Sequence, residues 1–371
     1  MPDLSGHPQT SAEARAEAPG RVNLIGEHTD YHGGWVLPTV LPQTTRVWGR
    51  RLDGGEVRAT SAAFPGVPGR FSLGGELLTN SWLDYVQGVT WVLGRSGVSL
   101  TGFDVTIDSS IPVGAGVSSS AALAVSLLRL LRQLFALPLD DVAIAKLAQL
   151  VETDFVGAPV GIMDQMACSL GRAGEALFLD THTLAFERVP LPAGAELLVL
   201  DSGVPHRHAD GQYAERRHES FAAAELLGVV RLRDLPVRDL SKLAGLPPLL
   251  ARRARHILTE NQRVIDMVGA LRAGQLKRAG TLMNESHVSM RDDYEVSTAD
   301  VDRLVSLAQA HPAVYGARLT GGGFGGAIVG LVEAGQAGGV ARLVGPAYQR
   351  DTGRSATVLL AGAATMPPPV N

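Results

Sequence analysis

Apolar positions along this chain follow two rhythms, and these divide it into helices and strands. Between residues 82 and 95 they recur at helical spacing (Trp82, Leu83, Val86, Val89, Leu93), which predicts an amphipathic helix. Residues 118–137 and 139–153 read as two more, split by Pro138, which cannot supply the N–H a continuing helix needs. Short β-type runs occupy 44–51 and 102–107. After Asp164 a short helix is expected, then strands at 175–180 and 184–189. A joint follows at 191–195, marked by Pro192 and Gly194. Beyond it lie a buried strand at 196–201 and long helices near 211–227 and 248–270. A strand, glycine loop and strand span 313–332, and a helix and a last strand at 357–361 close the chain. Strands and helices mix in both halves. The reading is therefore two α+β domains, 18–192 and 193–371, after a flexible terminus at 1–17.

Composition narrows the class. With 371 residues the chain exceeds one ordinary domain of ~100–200 residues. Apolar residues at 45% and charged ones at 19% suit a globular protein. A formal net charge of −4 argues against a nucleic-acid partner, which favours a basic excess. The single cysteine, Cys168, excludes a disulfide framework or a multi-cysteine zinc site. The polar N-terminus lacks the apolar core of a signal peptide. The most apolar run, 121–137, carries Arg129, Arg132 and Gln133 and is too short for a membrane span. Cytoplasmic residence is the resulting expectation.

Four segments carry candidate chemistry. The first, Pro112-Val-Gly-Ala-Gly-Val-Ser-Ser-Ser-Ala-Ala, follows a strand and opens a helix. Gly114 and Gly116 let backbone amides turn toward a ligand, and a helix start presents unpaired N–H groups to anions. Ser118, Ser119 and Ser120 can cap the helix, donate to phosphate or ligate Mg²⁺. No Gly-Lys-Ser/Thr follows, so this is not a Walker loop. A serine-capped helix after a glycine turn is the plainer alternative, although three serines exceed what one cap requires.

The second segment, residues 19–34, gathers Arg21, Asn23, Glu27, His28, Asp30 and His32 around Val22, Leu24 and Ile25. Carboxylates there suit a polyhydroxylated ligand. Metal binding and a solvated hairpin loop are the alternatives. In the third, Asp164 is a lone carboxylate among Ile162, Met163 and Met166, either a helix N-terminal residue or a catalytic group. Glu152, twelve residues earlier, reads by spacing as a helix-surface glutamate that could reach a metal, and Cys168 as core. The fourth, Thr320–Gly326, has five glycines in six positions, either a tight packing loop or the second wall of a phosphate site.

Taken in order, these segments resemble the GHMP small-molecule kinase superfamily. Pro112–Ala122 is similar to its second motif, with Val117 where leucine is usual, and Leu319–Gly326 to its third. Gly20-Arg-Val-Asn-Leu-Ile-Gly-Glu-His-Thr-Asp-Tyr31 resembles the signature of the galactokinase branch. Trp82-Leu-Asp-Tyr-Val-Gln-Gly, Gly161-Ile-Met-Asp-Gln, Tyr213-Ala-Glu-Arg-Arg and Met283-Asn-Glu-Ser-His extend the likeness over nearly the whole chain. His32 stands where asparagine is usual and Ala327 where cysteine often is; neither position carries chemistry, though His32 lies near the sugar loop and could bear on sugar preference.

The resemblance implies a two-domain GHMP kinase-like α+β fold, with mixed sheets, helices and an active site in the cleft between domains. It implies ATP-dependent phosphorylation of the anomeric C1 hydroxyl of α-D-galactose, the first committed step of the Leloir pathway. Asp164 and Arg21 would be catalytic. Glu27, His28, Asp30, Gly161 and Tyr213 would bind sugar. Pro112, Gly114, Ala115, Gly116, Val117, Ser118, Ser119, Ser120 and Ala121 would hold the nucleotide phosphates, and Trp82 would lie near adenine. Ser120 and Glu152 would hold Mg²⁺. The implied protein is a monomer using galactose and ATP, without nucleic-acid or membrane partners. A kinase for N-acetylgalactosamine or a uronic acid is one alternative. A non-catalytic galactose and ATP sensor is another, disfavoured by the intact Ser120-Ala121 pair.

Overall fold

The computed structural model describes residues 13–204 and 209–362. The first half builds a mixed sheet from β1 (Ala14–Asn23), β2 (Trp35–Val36), β3 (Pro38–Arg51), β4 (Glu56–Ser61), β5 (Gly69–Ser72), β6 (Phe103–Ser109), β7 (Glu175–Asp180) and β8 (Phe186–Pro190). Its order is β2-β7-β3-β6-β4-β5, with β1 on β3 and β8 on β7; only the β4–β6 pairing is parallel. Helices α1 (Leu83–Arg95), α2 (Ser119–Leu134), α3 (Asp141–Leu150) and α4 (Met163–Leu170) accompany it. In α2, Leu127, Leu128, Leu130 and Leu131 are buried, each burial contributing roughly 1.5–3 kcal/mol.

The chain changes sheets between β8 and β9 (Ala195–Asp201), at the joint marked by Pro192 and Gly194. The second half adds α5 (Ala209–Leu226), α6 (Pro248–Arg272), α7 (Leu276–Asp292), α8 (Ala299–Gln309), β10 (Val314–Leu319), β11 (Ala327–Glu333), α9 (Ala337–Thr352) and β12 (Thr357–Gly362). Its antiparallel sheet runs β10-β11-β9-β12. Val264 and Met267 of α6, Leu282 and Met283 of α7 and Val329 of β11 share one buried cluster with Val22, Leu24 and Leu37. This shared core fixes the walls of the cleft between the halves. Among the described residues, no helix is long and apolar enough to cross a membrane.

Several boundaries differ from expectation for local reasons. The second predicted helix ends at Leu134, before Pro138 is reached. Ala136 turns left-handed (φ 49°), and the Leu137 amide returns to the Arg132 carbonyl. The proline follows a helix already closed. The next helix waits for a real cap, the Asp140 carboxylate accepting from the Ala143 amide at 2.7 Å. It then widens into a π-helical turn, Val151–Val156, closed by Gly157 at φ 86°. Residues 14–17, expected in a loose terminus, pair with β3, with Ala14 opposite Gly49 and Glu17 opposite Arg46. Residues 1–12 and the proline-rich tail lie outside the described residues. Helices α7 and α8 were not anticipated.

Candidate active site

The first wall of the cleft is the polar turn that leaves β1. Gly33, left-handed at φ 70°, reverses the chain into β2. Thr29 donates to the carbonyls of Gly26 and Trp35, each at 2.8 Å, and so closes the turn upon itself. Asp30 faces the cleft beside Gly161, where a Cβ would lie 1.8 Å from Asp30 Oδ2, so only glycine fits there. Burial, then the charge of Asp164, pushes the Asp30 carboxyl up to about 6.

The second wall is the loop into α2. Val117 offers its carbonyl to the Arg21 amide at 3.2 Å, which docks the loop on β1. Ser118 holds a left-handed backbone (φ 63°, ψ 44°) and its side chain caps nothing. The first-turn amides of α2 therefore have no side-chain cap, and the helix dipole adds partial positive charge at that mouth. Gly321 closes from the opposite side; a Cβ there would sit 2.9 Å from the Gly116 carbonyl. The two glycine loops thus touch, and Gly321, Gly322 and Gly323 line the same cleft of about 340 Å³.

Where the walls meet, Arg21 grips Asp164. Its Nε donates to Oδ1 at 2.8 Å and its Nη2 to Oδ2 at 2.5 Å, while Nη1 holds the Gly116 carbonyl at 2.8 Å. This two-pronged geometry is the strong form of a charge-assisted pair. Burial opposes the charge on Arg21, but Asp164 holds its pKa above the ordinary value. The Ser118 hydroxyl also donates to Asp164 Oδ2, at 2.6 Å.

Glu152, read by spacing as a surface glutamate, is buried at the start of the π-helical turn. It accepts from Ser120 Oγ at 3.1 Å and from Gln165 Nε2 at 2.8 Å. Burial drives its carboxyl up to about 7, against the Gln165 hydrogen bond. A desolvated carboxylate beside a hydroxyl, at the N-terminal mouth of α2, fits a small hard cation that keeps its waters and phosphate ligands. Among the described residues no cluster of three or more His, Cys, Asp or Glu forms a protein-only metal cage.

Beneath the first wall lies a sealed charge network. Glu27 pairs with Arg318 at 2.5 Å and accepts from the Gly321 amide at 3.0 Å. Burial raises its pKa, opposed by Arg318. Glu260 accepts from the Gly26 amide at 2.9 Å and from Ser286 at 2.6 Å. Burial opposes its charge, but Arg263 and Arg318 hold it down at about 2. His256 bridges the Glu27 carbonyl and Ser289. The network joins the turn after β1 to α6, α7 and β10. Arg318, Glu260 and His256 carried no local sequence signal.

Arg21, Glu27, His28, Asp30, Gly114, Gly116, Val117, Ser118, Ser119, Ser120, Gly161, Asp164 and Tyr213 converge on the cleft. Pro112, Ala115, Ala121 and Trp82 do not line it; Trp82 stacks on Phe64 at 6.0 Å. His28 is committed on both ring nitrogens, to the Tyr31 hydroxyl (3.0 Å) and the Gly322 carbonyl (3.2 Å). His32, expected near the sugar loop, stacks on Phe221 and is held by Ser220 and the Leu232 amide, away from the cleft lining. Cys168 is core, its thiol pushed up by burial. An anion held at the helix mouth would sit close to a hydroxyl held at Asp164, a geometry suited to group transfer between them.

Three family models match: the galactokinase galactose-binding signature over residues 6–51, the GHMP kinase N-terminal domain over 84–172 and the GHMP kinase C-terminal domain over 267–345. Galactokinase of Streptomyces coelicolor is 43% identical over 340 residues, 89% of this chain and 87% of that one. Galactokinase of Chloroflexus aggregans is 44% identical over 327 residues, covering 86% and 84%. The crystal structure of Lactococcus lactis galactokinase complexed with galactose superposes with a TM-score of 0.91 at 32% identity, covering 95% of this chain and 94% of that one. Methanococcus jannaschii mevalonate kinase shares the fold alone, with a TM-score of 0.68 at 18% identity over 95% and 98% of the two chains. Carrying all three signatures and this identity along nearly its full length, the chain belongs to the galactokinase family of GHMP kinases.

Proposed function

We propose that this protein transfers the γ-phosphoryl group of ATP to the anomeric C1 hydroxyl of α-D-galactose, giving ADP and galactose 1-phosphate. The observation that carries the reading is the contact between Asp164 and the α2 helix mouth: one Ser118 hydroxyl spans them at 2.6 Å. The acceptor hydroxyl and the phosphate tail would thus be held side by side. The C1 oxygen attacks the γ-phosphorus, and the bond to the β-bridging oxygen breaks. The hydroxyl proton passes to Asp164, which Arg21 keeps oriented. A loose transition state asks for alignment and charge balance more than for a strong base.

The uncapped first turn of α2 and Gly114 and Gly116 would cradle the phosphates. Ser120 and Glu152 would hold Mg²⁺, which balances charge on the phosphate oxygens. Asp30, with Tyr213 and the floor at Gly161, would read the sugar hydroxyls. Specificity would follow from hydrogen bonds a wrong epimer leaves unmade, each costing ~1–3 kcal/mol. The protein would work as a cytoplasmic monomer whose halves, 18–192 and 193–371, both line the cleft.

ADP release coupled to a reporter, measured across a hexose panel with wild type beside Asp164→Asn, tests this. Galactose-dependent turnover is expected from wild type. A loss of about 10³-fold is expected in the variant, which should still fold but with a lowered thermal midpoint, since buried Arg21 loses its counter-charge. Near-normal turnover in Asp164→Asn, or turnover indifferent to the C4 configuration, would reject the assignment.

A further inference from the structure

A serine just before a helix ordinarily turns its oxygen onto an amide two or three residues ahead. Ser118 does not. Its backbone is left-handed, a conformation unfavourable for a non-glycine residue, and its side chain is nearly buried. That backbone turns the hydroxyl away from α2 and onto Asp164 Oδ2, at 2.6 Å.

The two oxygens of Asp164 are consequently unequal. Oδ2 accepts from Ser118 Oγ and from Arg21 Nη2, while Oδ1 accepts from Arg21 Nε alone. An ionised carboxylate oxygen offers about two lone-pair sites. Both are filled on Oδ2; one remains on Oδ1. We propose that Ser118 is a positioning residue: it fills the last site on Oδ2, so that Oδ1 alone takes the hydrogen of the acceptor hydroxyl. Because Ser118 belongs to the loop that would grip the phosphates, the last site on Oδ2 is filled only when that loop is in place. This assignment rests on the kinase reading above, and it gives the Ser118 side chain a task at the acceptor rather than at the nucleotide.

Ser118→Ala and Ser118→Gly test it together, because glycine adopts the left-handed backbone freely and separates strain from loss of the hydroxyl. Removing one hydrogen bond to a charged group predicts a fall in kcat of about 10- to 100-fold in both variants. KM for galactose and for ATP should each stay within about three-fold, since ground-state binding is untouched. In an Asp164→Asn background, Ser118→Ala should change kcat less than about two-fold, because the oxygen it orients has lost its role. Retained kcat in both variants overturns the assignment. So does a loss confined to the KM of ATP, or a full additive loss in the double variant. A wild type without galactose-dependent ADP release overturns the kinase reading and this assignment with it; a competent wild type beside a competent Ser118→Ala overturns the assignment alone.

Discussion

Arg21–Asp164 and Arg318–Glu27 are the same chemical pair in two settings. Each closes at 2.5 Å and each arginine is buried. The carboxylates differ: the Asp164 side chain is 30% exposed and that of Glu27 is 1% exposed. Asp164 keeps a lone pair open to the cleft. Glu27 is occupied by Arg318, Thr320 and the Gly321 amide, with Glu260 close behind. The open pair can act on a ligand. The sealed pair instead joins the turn after β1 to β10 and the glycine loop that follows it. Removing either arginine should therefore damage different properties.

The largest effect is expected at the sealed pair. Arg318→Leu leaves Glu27 without its cation and Glu260 with Arg263 alone, and losing one partner of a buried pair costs about 3–5 kcal/mol. Urea unfolding should show that loss as a lowered midpoint. Arg21→Ala should instead cost about 10²–10³-fold in turnover, since Asp164 loses its fork. Its stability loss should be near 1 kcal/mol, because the freed carboxylate can reach water. Equal destabilisation by the two substitutions would break the comparison.

A further effect concerns acid. Burial, the first cause in each case, holds His28 and His32 down to about 3 and His256 to about 4. All three are neutral in the folded state, while the unfolded chain takes up protons below about 6.5. Their contribution is complete above that pH. It is lost as the pH falls from 6.5 toward the folded values, at up to ~1.4 kcal/mol per pH unit for each histidine. His32→Asn should remove one histidine's share from the slope of unfolding free energy against pH between 6 and 4. An unchanged slope would show that His32 does not titrate in this way.

Much of this was legible because it is local. The glycines of the two loops, the apolar Val22, Leu24 and Ile25 set among polar residues, and the helical spacing of 82–95 declare themselves within a dozen residues. The sealed network could not be read that way. Arg318 looks like any arginine in a strand until the fold sets it on Glu27, and Glu260 has the spacing of an ordinary helical glutamate. Ser118 shows a local rule defeated outright, since its capping preference yields to a carboxylate 46 positions away. Glu152 is concealed for a similar reason: nothing nearby in the sequence marks the packing of the π-helical turn against α1 or the contacts of Glu152 with Ser120 of α2 and Gln165 of α4.

That widened turn has a consequence for the spacing between Glu152 and Asp164. A π-helical segment holds one residue more than a regular turn would, and in an ordinary α-helix each residue advances the chain by about 100°. Deleting a single position between Val151 and Val156 would close the turn to regular α pitch and shift Gly157 and the residues after it, Gly161 and Asp164 among them, relative to Glu152. Chain length here, as well as residue identity, sets where Asp164 stands relative to Glu152.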